Sequence, residues 1–461
     1  MTTEELLKRT QIPPEYAHLW DTPPPENIDL LVRLGKWKAE VSRHLRDLAS
    51  YLASAGRLST EEQSLLVIHI AQYVGHDPWV SDDARSQAEY ILENYVSPSV
   101  SLITDVLSNQ VRPVFQSHIH PRVNASTGRA LSRVAGGPLG SQDLYASQSW
   151  KETHPGISSV LFWAVVHIKS PDYDRLWHLI IPPVMALLDD YEVAYKLRGI
   201  SVISRMLKAV PPDLLRRTGV DELIFSSLEG TLVFLHNPKT PELLSIAIPA
   251  IVELVDLLLP IRALSKEQGK QRFDRLCSVL GEGIIGSIWV HASRDVATIR
   301  ATIDQVPLLV ESLGVCAVRY LKPLVLQLLD PLYPPASGVQ RTVSPEANEL
   351  RISSLRSLST VIKTCHDRIH TWKKTILDAV ARCWVYEFEN PEANTPMIRL
   401  GLLEVTSSLS SACPNILEYD IPRLKSAYPA LDDIFPQVAQ VTNQELGGDT
   451  EDECSARSQS I

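Results

Sequence analysis

The chain has 461 residues, 44% hydrophobic and 21% charged, which is enough apolar material for a large core. Its 44 lysines and arginines stand against 54 aspartates and glutamates, a formal charge of -10, so no basic field draws it to phosphate backbones or anionic lipid. Six cysteines, at 277, 316, 365, 383, 413 and 454, form no CxxC and no regular framework, the usage expected of reduced thiols in a cytosolic or nuclear protein.

The opening "MTTEELLKRT" places acids before bases and has no apolar h-region, so it does not read as a secretory signal. Residues 1–30 are proline-rich ("PPEY", "DTPPPEN") and are expected to form an irregular arm. Residues 31–110 read as an N-terminal helical region, in which a Ser59-x-x-Glu62 capping box opens "STEEQSLLVIHIAQYV" and "DDARSQAEYILENYV" follows as a second helix. Residues 111–158 read as a long loop-rich segment. Helices continue over 159–440, and the polar, acidic stretch 441–461 is expected to be a disordered tail. The oily runs "VLFWAVVHI" and "HLIIPPVMALL" fall short of the roughly 18 to 20 residues that a bilayer requires, so no membrane is expected.

Apolar residues recur at spacings of three and four and no convincing alternating strand occurs, which predicts an all-α fold. "PPVMALLD" and "PLVLQLLD" repeat one pattern, Pro182, Leu187, Leu188, Asp189 against Pro323, Leu328, Leu329, Asp330. Each is followed by a second amphipathic helix, "EVAYKLRGISVISRML" in one case and "ANELRISSLRSLSTVI" in the other. Their separation is a multiple of the helix-pair length of HEAT-type repeats, so a HEAT-like α-α superhelix, or solenoid, is expected. Pro182-Pro183 is expected to kink the first helix or mark its start. Asp189 and Asp190 fall at the junction of the two helices, where an aspartate caps the free N–H groups of the next helix.

Motifs for chemistry are sparse. "GEGIIG" (Gly281, Gly283, Gly286) spells G-x-G-x-x-G, but Phe273, Leu276 and Leu280 before it have helical spacing and no βαβ unit surrounds it, so the glycines read as helix-end packing positions. His118 and His120 lack further ligands at metal-site spacing, and "GGPLG" lacks the GK[ST] ending of a phosphate loop. No catalytic residue, cofactor or metal is expected. "QDLYASQSWK" differs in kind: Gln142, Asp143, Tyr145, Gln148, Trp150 and Lys151 crowd hydrogen-bonding and amphipathic groups into a long loop. With Tyr191 and Tyr195 they are the candidate partner-binding residues, the alternative being that the aromatics pin the loop to the helices.

The ordered series "RPVFQSHIHP", "TGRAL", "QDLYASQSWK", "LWHLIIPPVMALLDDYEVAYKLRGI" and "LLRRTGVDELIF" resembles the Tel-two-interacting protein 2 (Tti-two) family, most closely over residues 105 to 330. The resemblance implies a non-enzymatic HEAT-like subunit of the Triple T complex, partnered by Tti-one and Tel-two. That complex hands phosphatidylinositol 3-kinase-related kinases to the 90-kDa heat-shock chaperone. The implied location is cytoplasmic, with the nucleus also open, and nucleic acid is not an expected ligand. The alternative weighed beside it is another solenoid scaffold, such as a HEAT-repeat nuclear transport receptor.

Overall fold

Helix is the dominant regular structure among the described residues, and a lone β-bridge pairs Val123 with Ala130. The structure, a computed structural model, describes residues 3–17, 19, 28–54, 56–116, 120–134, 150–334, 345–389, 396–428 and 431. The expected tail at 441–461 and the candidate residues Gln142, Asp143, Tyr145 and Gln148 lie outside them. The fold is all-α, and it divides into two units, residues 1–231 with 256–258, and residues 232–255 with 259–461.

In the first unit, helix α1 (Thr3–Lys8) and a short turn at Pro14–Tyr16 give the expected irregular arm local helical structure. The arm is held because Leu6, Leu7 and Ile12 are buried, and because the Thr10 carbonyl accepts hydrogen bonds from Gln72 Nε2, at 3.2 Å, and from the Tyr73 hydroxyl. Helix α2 (Ile28–Ser54) packs on α4 (Asp82–Tyr95). Between them in sequence, α3 (Thr60–Ile70) begins with the Ser59/Glu62 capping box in both of its hydrogen bonds, 3.2 and 2.8 Å. Helices α5 (Val100–Asp105) and α6 (Arg112–Phe115) are joined by a wider π-helical stretch, Val106–Val111. The described loop 120–134 folds back on itself at Gly128, whose φ of +66° suits glycine. Helix returns at α7 (Trp150–Thr153) and α8 (Ile157–His167), so among the described residues it resumes at 150, inside the segment 111–158 that reads as loop-rich.

Helices α9 (Tyr173–Leu188) and α10 (Val193–Leu207) form the predicted hairpin. Pro182 and Pro183 neither begin α9 nor break it; they lie inside it, each removing one ladder hydrogen bond. Burial of α9 on nearly every side offsets that loss. Gly199 brings the two backbones together: a Cβ there would stand 2.6 Å from the Leu188 nitrogen. Helices α11 (Pro212–Thr218) and α12 (Val220–Gly230), separated by Gly219 at φ +69°, complete the unit.

The second unit contains most of α13 (Thr240–Leu258), then α14 (Lys266–Cys277), α15 (Val296–Ile303), α16 (Val306–Leu313), α17 (Leu321–Leu329), α18 (Pro345–Thr364), α19 (Lys373–Glu389) and α20 (Pro396–Ala412). Helix α18 is its hub and packs on α15, α16, α17 and α20. The contact with α20 uses small side chains: Ser359 meets Ser408 at 3.0 Å and Gly401 faces Leu355. A buried Arg351 reaches Glu387 at 3.3 Å and the Pro331 carbonyl at 3.1 Å, satisfying both charges. Val296–Leu332 is apolar and long enough to cross a membrane. It is a succession of short helices with a 3-10 turn at Gly314–Tyr320, and its inward residues Ile299, Leu309, Val325 and Leu328 are core. A bilayer span needs an unbroken backbone ladder.

"GEGIIG" corrects its own expectation. The glycines occupy the middle of a π-helical stretch, Ser278–Ile288, rather than a helix end. Tyr320 fills the space beside Gly281 and Leu232 that beside Gly283.

Candidate functional site: a buried lysine beneath an exposed tyrosine

The loop from Asp189 to Glu192 joins α9 to α10, and α7 comes to it from far away in sequence. Lys151 Nζ donates to Asp190 Oδ1 at 2.8 Å and to Glu192 Oε1 at 2.6 Å. Asp190 Oδ1 also accepts from the Glu192 backbone N–H at 2.8 Å, closing the loop on itself. Lys151 is 1% exposed, so two acids and one ammonium share a site nearly free of water. Three aromatic rings surround that ammonium, with centroids 4.4 Å (Tyr191), 4.5 Å (Tyr195) and 5.8 Å (Trp150) away.

Further contacts extend the cluster. Trp150 meets Tyr195 edge-on at 5.1 Å and Phe115 at 5.0 Å. Arg198 lies 5.0 Å from the Tyr195 ring and 5.6 Å from that of Trp79, and it donates to Asp77, which also accepts from Ser159 at 3.3 Å. Lys196 Nζ donates to the Leu188 carbonyl at 2.7 Å. On the other side of the junction, His120 Nε2 lies 2.8 Å from Asp189 Oδ2, while His120 Nδ1 accepts from the Arg122 N–H at 3.3 Å. The two ring nitrogens thus tie the 120–134 loop to the α9 junction, Nε2 facing Asp189 and Nδ1 facing the Arg122 amide.

The two aspartates therefore do different things: Asp189 does not cap α10, while Asp190 accepts from the N–H of Glu192 at its start, as expected of a junction aspartate, and holds Lys151 as well. Asp189 occupies the C-cap position of α9, and the N-cap of α10 is Glu192, which makes no side-chain cap bond. Burial pushes the Asp189 carboxyl up, but the hydrogen bond and charge of His120, with Ser227 and Lys196, outweigh it and hold the group below its ordinary value. Burial dominates at Asp190 and raises its carboxyl, with Lys151 opposing. Burial likewise lowers the Lys196 ammonium, opposed by Asp189 and Asp190.

Four of the candidate partner residues lie among the described residues. Trp150 (3% exposed), Lys151 and Tyr195 (0%) are core members of the cluster, which corrects their assignment as surface anchors. The reason is physical: an ammonium with two buried acids fixes α7 against the hairpin, and the flanking aromatics fill the space that this leaves. Tyr191 alone reaches solvent, at 55% exposure. Asp77, His120, Glu192 and Arg198 completed the site without a local sequence signal, since their partners are distant in the chain. Among the described residues no group of three or more metal-ligating side chains occurs.

Packed helices throughout the described residues, with the α9–α10 hairpin closed by an internal charge cluster, make this an all-α, solenoid-like protein. The model of the Tti2 family matches residues 65–337, more than half of the chain, and the protein belongs to that family. The matched span includes every residue of the cluster. The family is of the non-catalytic cochaperone type, and membership associates the chain in general terms with the Triple T complex.

Proposed function

We propose that this chain is a non-enzymatic scaffold subunit that binds Tti-one, and with it Tel-two, and so supports the folding and stability of phosphatidylinositol 3-kinase-related kinases with the 90-kDa heat-shock chaperone. The observation that carries the reading is Tyr191, an exposed aromatic on a loop immobilised from behind by Lys151, Asp190 and Glu192. A ring held in one place loses little entropy on binding, and tyrosine is a favoured anchor at protein interfaces. Family membership supports the choice of partner. The site of action is the cytoplasm, with a share in the nucleus.

The test is depletion and rescue in cells. Depletion is expected to lower several of these kinases together with their messenger RNAs unchanged. Wild-type protein restores them, and Tyr191→Ala does not, failing also to co-purify with Tti-one. Normal kinase levels after complete depletion refute the cochaperone role. Full binding and rescue by a folded Tyr191→Ala variant refute the anchor alone.

A further inference from the structure

The loop 120–134 is built as a short antiparallel ribbon. The Leu131 N–H donates to the Arg122 carbonyl at 2.8 Å, the Asn124 N–H donates to the Arg129 carbonyl at 2.8 Å, and Val123 pairs with Ala130 between them. Side chains along such a ribbon alternate between its faces. Val123 is buried, while Arg122 and Arg129, on either side of the Val123–Ala130 pair, are exposed. The Ala130 N–H donates to the Thr218 carbonyl at 2.9 Å, which ties the ribbon down as far as that point. Beyond Leu131 the backbone is bound to no described residue, and Ser132 and Arg133 are exposed and outside any helix. The chain therefore leaves the ribbon at Ser132 with no hydrogen bond to a described residue holding its shape.

Residues 120–134 contain Arg122, Arg129 and Arg133 but no aspartate or glutamate, so this edge is basic in a chain whose formal charge is -10. None of the three arginines forms an ion pair, and the Ser132 hydroxyl meets no partner, among the described residues. Arg129 stands three positions before Ser132, a spacing at which protein kinases with acidic groups beside the catalytic cleft read an arginine. Such a cleft takes its acceptor from an unwound segment, because it must reach the hydroxyl and the backbone to either side. The same Arg-x-x-Ser/Thr spacing recurs among the described residues, but the fold withholds those acceptors. Thr60, Ser201, Ser278, Ser354, Ser359 and Ser426 are in helices. The Ser265 hydroxyl caps α14 by accepting from the Gln268 N–H at 3.2 Å, and that of Thr371 donates to the Arg368 carbonyl at 3.0 Å.

We propose that Ser132 is a modification site, phosphorylated by a basophilic protein kinase that recognises Arg129. The aspartate of the kinase's catalytic loop accepts the Ser132 hydroxyl proton as Oγ attacks the γ-phosphorus of ATP. The bond between that phosphorus and the oxygen bridging it to the β-phosphate breaks, and ADP leaves. The phosphoryl group moves whole, and nothing is oxidised or reduced. The product places about -1.5 to -2 charges beside Arg122, Arg129 and Arg133 and offsets most of their positive charge. An edge that attracts acidic partners before the reaction loses most of that attraction after it.

The experiment incubates the folded full chain with Mg·ATP and a purified kinase selective for arginine three residues before its acceptor, and times and maps the phosphorylated residues by mass spectrometry. Peptides spanning Ser132, Ser265 and Thr371 are all expected to accept phosphate, whereas in the folded chain Ser132 alone of the three does so. Ser132→Ala removes that phosphate. Arg129→Gln is expected to slow the modification of Ser132 on the order of tenfold, with circular dichroism checking that the exposed substitution leaves the fold intact. An unmodified Ser132 in the folded chain overturns the proposal. So does a rate at Ser132 that Arg129→Gln leaves unchanged.

Discussion

The Lys151 ammonium lies 2.8 Å from Asp190 Oδ1, and both side chains are closed off from solvent. One cation is shared by two acids there, so its removal strands two buried carboxylates. Lys151→Met is expected to cost about 3–5 kcal/mol, the range for breaking a buried pair from one side. Urea denaturation measures it. A loss under about 1 kcal/mol would mean that the Asp189–Glu192 loop simply swings into water.

The neighbouring aspartates should respond to pH in opposite senses. Asp189 is held below its ordinary 3.8, so its contribution is present above that value and is lost as pH falls through the lower, folded value. Asp190 is raised above 3.8, so its contribution is full below 3.8 and is lost as pH rises through the raised, folded value. Between about pH 3 and pH 7, the urea midpoint of Asp190→Asn should rise more steeply with pH than that of the wild type, and that of Asp189→Asn less steeply. Parallel curves for all three proteins would contradict this.

Burial separates the aromatic residues of the site. Trp150→Ala and Tyr195→Ala are each expected to cost about 3–5 kcal/mol by leaving a core cavity. Tyr191→Ala should lose less than about 1 kcal/mol, the scale of an exposed contact with the Lys151 ammonium. Thermal melts of the three variants decide the ordering, and a Tyr191 variant as damaged as the others would place that ring in the core.

Glycines give a paired test. Gly199→Ala drives a methyl to within 2.6 Å of the Leu188 nitrogen and should splay α9 from α10 at about 1–3 kcal/mol. Gly269, inside α14 with nothing within 4 Å, should accept alanine with a gain of about 0.5–1 kcal/mol. Equal effects at the two sites would show that backbone entropy alone governs both.

Calorimetry with NAD and ATP should show no saturable heat. The amides of "GEGIIG" belong to a helix, and Tyr320 and Leu232 occupy the space where phosphate would approach. Micromolar binding abolished by Gly283→Val would overturn that.

Periodicity made the all-α fold legible, and Ser59-x-x-Glu62 placed a helix start because capping is a contact over three residues. The hairpin α9–α10 was legible for the same reason: its apolar spacing and its junction are local. What stayed hidden was long-range. Nothing near Asp190 announces a lysine 39 residues upstream, and Asp77 meets Arg198 across 121 positions. Asp189 and Asp190 therefore read as caps, the role most aspartates play at a helix junction, when the partners His120 and Lys151 come from other segments. Trp150 and Tyr195 read as anchors because composition reports amphipathic rings without reporting which way they face.

The docked arm has a consequence for how the chain is made. Leu6, Leu7 and Ile12 are made before the residues that seat the arm, which include Gln72 and Tyr73, and the Pro14–Tyr16 turn lies against Trp150–Thr153. At about 5–20 residues per second, roughly seven to thirty seconds pass between synthesis of the arm and of α7. Over the early part of that interval, until α2 and then Gln72 and Tyr73 are made, Leu6, Leu7 and Ile12 lack their seat, and until its end the Pro14–Tyr16 turn lacks its neighbour. The arm is thus a contact between early and late segments, closed only after α7 has been made.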